Sequence, residues 1–133
     1  MRYLGIDYGM RRIGLATADG DTRIAVPQSA LKCKNDAQAI DEITSVVKKE
    51  EIEKIIIGLP LGLDGRKSEM SAQAISFGEK LRAASGLPVE FENEMLTSRM
   101  AHDAGMRGSN IDASSAAIIL QSYLDKIQMP KSK

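Results

Sequence analysis

Three carboxylates, Asp7, Glu94 and Asp112, stand where a folded chain could gather them into one site. Asp7 comes late in an apolar segment of strand composition, Glu94 follows the last such segment, and Asp112 opens the last helical one. Converging carboxylates cannot all stay charged unless a cation offsets them. An all-oxygen set suits Mg²⁺ or Mn²⁺, and with one histidine and one cysteine the chain offers no zinc set. Two such ions, about 3.5–4 Å apart, make a site for cleaving phosphodiesters, one activating water and both stabilising charge on the scissile phosphate. Each residue also has a plainer reading. Asp7 could bond turn amides, Glu94 could be a solvated loop residue, and Asp112 could be a helix N-cap.

Cations accompany the carboxylates. Arg11 and Arg12 sit in the turn after Asp7, Arg66 and Lys67 end a Gly-rich loop at residues 58–67, and Arg99 follows Glu94. All five are candidate phosphate ligands, against the alternatives of a solvated hairpin tip and an ordinary connector. His102, the one histidine, reads as a surface residue that could shuttle a proton. Cys33 reads as a small buried residue.

The elements that must position these groups follow from periodicity. Residues 2–8 and 12–18 read as two strands joined at Gly9-Met10-Arg11, and alternation puts Tyr3, Gly5 and Asp7 on one face. Residues 23–32 supply a third strand, which Pro27 confines to an edge or a bulge. The period then becomes helical. Asn35 caps a helix carrying Ile40, Ile43 and Val47, and residues 54–58 form a doubly buried strand. A helix from residue 68 aligns Met70, Ala74, Phe77 and Leu81 and stops at Gly86 and Pro88. Residues 88–92 are the last strand, Thr97 caps a short helix, and Asp112 opens one carrying Ala116, Ile119, Tyr123 and Ile127. The order βββαβαβαα predicts a mixed α/β sheet, hairpin-built in its first half and parallel in its second. In such sheets ligands sit beyond the carboxyl ends of the strands, where Asp7 and Glu94 would both lie.

The bulk numbers set limits. The 133 residues suit one domain, with residues 129–133 a frayed tail. Hydrophobic residues make up 43% of the chain and aromatics 4%, so the core is aliphatic. Lys+Arg and Asp+Glu are both 18, so any polyanion must be held by a local patch rather than by net charge. A lone cysteine, with no signal peptide and no membrane-length apolar run, predicts a soluble cytoplasmic protein, monomeric or weakly dimeric.

"GIDYGMRRIGLA", "IIIGLPLGLDG", "NEMLTS" and "DASSAAIILQSYLD", in order across residues 3–125, resemble the YqgF or RuvX family of Holliday junction resolvase-like proteins. The resemblance implies an RNase H-like fold, a five-stranded mixed sheet with helices on both faces. It also implies a metal-dependent nuclease whose acidic positions are Asp7, Glu94 and Asp112. Asn93-Glu94-Met95 stands where the family usually has Asp-Glu-Arg, so the glutamate is kept while its acidic and basic neighbours are not. The implied substrate is the 5′ end of precursor 16S rRNA, with four-way DNA junctions as the alternative. Two other classes stay open: a non-cleaving RNA-binding assembly factor, and a nucleotide-binding module, because Asp7-x-Gly9 also resembles the phosphate hairpin of actin-like kinases.

Zero net charge generates a salt prediction. On duplex DNA the slope of log affinity against log salt is about −0.9 per neutralised phosphate. A few local cations should therefore give roughly −3 to −5 for this chain, and changing Arg11 and Arg12 to Ala should flatten it. An unchanged slope in that double variant would place the basic turn away from the substrate.

Overall fold

Apolar side chains alternate along the first strand, and helices cover both of its faces. The computed structural model describes residues 1–9, 12–59, 69–93 and 109–128, without the side chains of 69, 70, 93, 109–112 and 128. Strands β1 (Arg2–Tyr8), β2 (Arg12–Asp19), β3 (Ala25–Lys32), β4 (Lys54–Leu59) and β5 (Val89–Asn93) form one sheet in the order β3-β2-β1-β4-β5. β1 to β3 are antiparallel neighbours, while β4 runs parallel to both β1 and β5. Helices α1 (Asp36–Lys49), α2 (Glu69–Ser85) and α3 (Ser109–Gln128) complete the described chain. The five-stranded mixed sheet with helices on both faces is the predicted one.

Local chemistry explains the boundaries. The Asn35 side chain accepts the Gln38 N–H at 2.9 Å, capping α1, whose last turn carries Lys48 and Lys49. α2 ends at Gly86, which takes φ +73°, a left-handed value that glycine adopts without strain. Pro27 has no N–H to give a ladder, and β3 accommodates it in two ways. β3 is an edge strand, and its register shifts there, Leu15 facing Ser29 and Ala16 facing Pro27.

The two sheet faces are built differently. On one, Leu4, Ile6, Ile13, Leu15, Ile55 and Ile57 pack against Ala39 and Ile43 of α1 and Ala74, Phe77 and Leu81 of α2. On the other, Tyr3, Ala16, Ala18 and Ile56 meet Ala116, Ile119, Leu120, Tyr123 and Leu124 of α3. The strand residues here are smaller, and α3 lies closer. A Cβ on Gly5 would sit 2.7 Å from the Leu120 Cβ and 3.0 Å from the Ala116 carbonyl oxygen.

Polar ties link the layers. The Tyr8 hydroxyl donates to Asp36 of α1 at 2.9 Å, and Lys80 of α2 lies 3.5 Å from the same carboxylate. The Tyr8 ring also stacks on Phe77, centroids 4.6 Å apart. On the opposite face Lys54 of β4 pairs with Glu90 of β5 and lies 5.2 Å from the centroid of the Tyr123 ring.

Two predictions about the last helix need correction. It begins at Ser109, not at Asp112, which therefore stands in the first turn and is not an N-cap. Ser109, Asn110 and Asp112 are all cap-type residues within four positions, and local preference does not choose between them. Ile127, expected on the buried stripe, is 52% exposed, while Leu120 and Leu124 are buried. A helix of 20 residues is about 30 Å long and a seven-residue strand about 23 Å, so α3 overruns β1. The short helix at Thr97 and the tail at 129–133 lie outside the described residues. Among the described residues no helix is long and apolar enough to cross a membrane.

Two consequences can be measured. Gly5→Ala forces α3 off the sheet and should cost about 1–3 kcal/mol, seen as a fall of several degrees in the thermal midpoint. Burial, and then the Asp36 carboxylate, push the Tyr8 phenol up to about 12 from 10.0. The folded-state value lies above the unfolded one, so this contribution is complete below pH 10 and is lost as pH rises towards 12. At about 1.4 kcal/mol per pH unit the loss is roughly 2–3 kcal/mol. Urea titrations at pH 8 and pH 11.5 should show Tyr8→Phe losing less stability than the parent. Equal losses would refute the assignment.

Candidate acidic site at the sheet edge

Cross-strand register places Asp7 in a row with few side chains. Asp7 faces Gly14 on β2, Ile6 faces Ile57 on β4, and Gly58 faces Glu92 on β5. The row across four strands is therefore Gly14, Asp7, Gly58, Glu92, on the face that α3 covers. Both lateral neighbours of Asp7 are glycines, so no side chain crowds its partly buried carboxylate from within the row. Three parallel strands, β1, β4 and β5, end at this edge, as the sequence predicts.

α3 runs antiparallel to β1, and its contacts set the height of its first turn. The Tyr123 and Tyr3 rings lie 6.1 Å apart, and Leu120 and Ala116 sit over Gly5. Four helix residues rise about 6 Å and two strand residues about 6.6 Å, so each step along β1 meets one turn of α3. The next step brings Asp7 level with the turn at residues 112–116. Asp112 thus enters the neighbourhood of Asp7 by backbone register; its side chain lies outside the described residues.

At the far end of the row, Glu92 is 4% exposed. Its Oε2 accepts the Ser122 hydroxyl at 2.8 Å and lies 2.8 Å from the Lys126 ammonium. Sequence reasoning missed this residue, although the signal was present. Glu90 and Glu92 alternate with Val89 and Phe91 in "VEFE", so one face of β5 is carboxylate and needs partners. A second missed group is Ser115 of α3, fully buried, whose hydroxyl has no hydrogen-bond partner.

Of the remaining candidates, Arg12 opens β2 opposite Lys32 of β3, both exposed and at the same sheet edge as Asp7. Glu94, Arg11, Arg66, Lys67, Arg99 and His102 lie outside the described residues. Among the described residues no three His, Cys, Asp or Glu groups converge to hold a metal. Cys33, predicted to be buried, is partly exposed, its thiol donating to Glu42 at 3.4 Å. Burial, and then Glu42, push that thiol up to about 11, which keeps it protonated and unreactive at neutral pH.

Comparison with known proteins bears on this arrangement. Residues 1–126 match the family described as RuvX, Holliday junction resolvase. A protein of Caldanaerobacter subterraneus subsp. tengcongensis, named "Putative pre-16S rRNA nuclease", is 37% identical over 134 residues, spanning 94% of this chain and 96% of its own. A protein of the same name from Pseudomonas syringae pv. tomato is 38% identical over 133 residues, spanning 92% and 90%. Among solved structures, RuvC of T. thermophilus in complex with Holliday junction substrate has a TM-score of 0.66 over 97% of each chain at 15% identity, a likeness of fold. The fold is thus the RNase H-like one that the motifs implied. With a family match running from residue 1 to residue 126 and full-length relatives, this chain belongs to the RuvX family.

Proposed function

We infer that the chain is a metal-dependent nuclease that processes the 5′ end of precursor 16S rRNA. The observation that carries this reading is Asp7, flanked by glycines at the carboxyl edge of the sheet beneath the first turns of α3, in a chain of the RuvX family. In this reading residues 1–133 act as one catalytic domain in the cytoplasm, as a monomer or weak homodimer.

Asp7, Glu94 and Asp112 would hold Mg²⁺ or Mn²⁺, as two ions, and the fit rests on donor chemistry. The set is all oxygen, and the glycine on either side of Asp7 leaves room for a hydrated hard cation. Bound divalent ions supply an activated water and stabilise the charge that builds on the scissile phosphate. The chain's own residues do the rest. The ladder of β1 holds Asp7 rigid, while the N-terminal turn of α3 brings the positive end of its dipole to the same edge. Arg11, Arg12, Arg66, Lys67 and Arg99 would contact phosphates of the nucleic acid, with Arg12 already exposed at this edge.

A second reading within the same chemistry is cleavage of four-way DNA junctions, favoured by the description of the family as Holliday junction resolvase. Purified protein offered precursor rRNA, junction DNA and ATP side by side, with and without Mg²⁺, separates the substrates.

Cleavage should vanish with EDTA and return with Mg²⁺ or Mn²⁺; full activity in chelator would overturn the metal reading. Asp112→Asn removes a charge from the first turn, worth about 0.3–1 kcal/mol there, and should melt near the parent. Its cleavage should nonetheless fall by at least the 10–100-fold typical of about one lost supporting contact at a metal site. Full activity in Asp112→Asn would remove that residue from the site.

A further inference from the structure

We propose that the cavity between the start of α1 and the middle of α2 is a nucleotide subsite, taking one unpaired, amino-bearing base of the nucleic acid. It rests on the nuclease reading above and adds a place for substrate.

The cavity has a volume of about 340 Å³, at the lower end of the range for ligand sites, and is lined by Tyr8, Lys34, Asn35, Asp36, Gln73 and Ser76. Tyr8 follows Asp7 in β1 and points to the opposite face of the sheet, so the cavity lies at the same sheet edge as Asp7. A nucleic-acid strand held at that edge has a neighbouring nucleotide within reach of it.

The lining chooses the occupant. The start of α1 offers little to an anion. The Asn35 side chain is spent on the Gln38 N–H, the Gln38 side chain on the Lys34 N–H, and Asp36 brings negative charge to the first turn. What the cavity presents instead is acceptors. Asp36 receives the Tyr8 hydroxyl at 2.9 Å and lies 3.5 Å from the Lys80 ammonium, which leaves about two of a carboxylate's four acceptor positions. The buried amide oxygen of Gln73 has no hydrogen-bond partner. Its terminal torsion is broad and two-fold, so a ligand donor can draw that oxygen to itself. The exocyclic amino group of adenine or cytosine has two N–H bonds, one for each acceptor. Uracil has a single imino N–H between two carbonyl oxygens, which the carboxylate repels. At the rim the exposed Lys34 takes the phosphate, with Arg12 and Lys32 exposed farther along the edge.

Fluorescence anisotropy of labelled oligoadenylate, oligocytidylate and oligouridylate with the full chain in EDTA tests this, with thermal unfolding alongside. The parent should bind the adenine and cytosine strands at least about 5-fold tighter than the uracil strand, as one good paired contact to a base provides. Gln73→Leu should melt at or above the parent, since it removes an orphan acceptor, and should lose that preference. Ser76→Leu, at an exposed helical position, fills the cavity and should lose it too. Lys34→Gln should weaken all three strands alike, as loss of a phosphate contact does. Equal affinities in the parent, or a preference that survives in Ser76→Leu, overturn the proposal. Preference absent while EDTA-sensitive cleavage persists removes the subsite and leaves the nuclease standing. Preference present without cleavage removes the nuclease reading and leaves a base-binding cavity.

Discussion

The close approach of α3 to the sheet at Gly5 is the contact on which the site depends. A helix whose Leu120 Cβ and Ala116 carbonyl lie 2.7 and 3.0 Å from the position of a Cβ leaves no room for any side chain. The surrounding surface follows suit. Ala16, Ala18 and Ala116 line the contact, where the opposite face uses Leu4, Ile6, Leu15 and Phe77. A small-residue surface brings helix backbone near strand backbone, and that distance sets the height of the first turn of α3 over Asp7. The placement of Asp7 relative to α3 is thus inherited from a packing constraint two residues away along β1.

Charge on this face is distributed with the same economy. Glu90 and Glu92 both face α3, and each meets an ammonium group, from Lys54 and Lys126 respectively. The two pairs are not equivalent. Glu90 is exposed, so its pair is partly screened and contributes little. Glu92 is nearly sealed, and stripping its partners would leave a buried charge uncompensated, a far larger penalty. Together they fasten β5, the strand from which Glu94 follows, to β4 and to the C-terminal half of α3.

The other face carries a different kind of tie. Tyr8 points away from Asp7 by strand alternation, stacks on Phe77 and donates to Asp36, which Lys80 also approaches. One short segment of β1 therefore offers a carboxylate to one side of the sheet and an anchoring phenol to the other. The anchor holds the end of β1 against α1 and α2, so the strand end that bears Asp7 is braced from behind.

Much of this was legible in the residues taken in order. Alternation in β1, the Asn35 cap, the stop at Gly86 and the edge placement forced by Pro27 are all local, decided within a few residues by backbone and side-chain preference. Asp7 was legible too, as a carboxylate in an apolar strand. The start of α3 was not, because three cap-type residues stand within four positions and local preference does not single one out. Nor was the exposure of Ile127, which depends on where the sheet beneath the helix ends. Glu92 finds Ser122 thirty residues on, and Tyr8 finds Asp36 twenty-eight residues on. Ser115 is identical in sequence to a solvated helical serine. Its burial is set by the sheet on which α3 packs, so only the folded chain distinguishes the two.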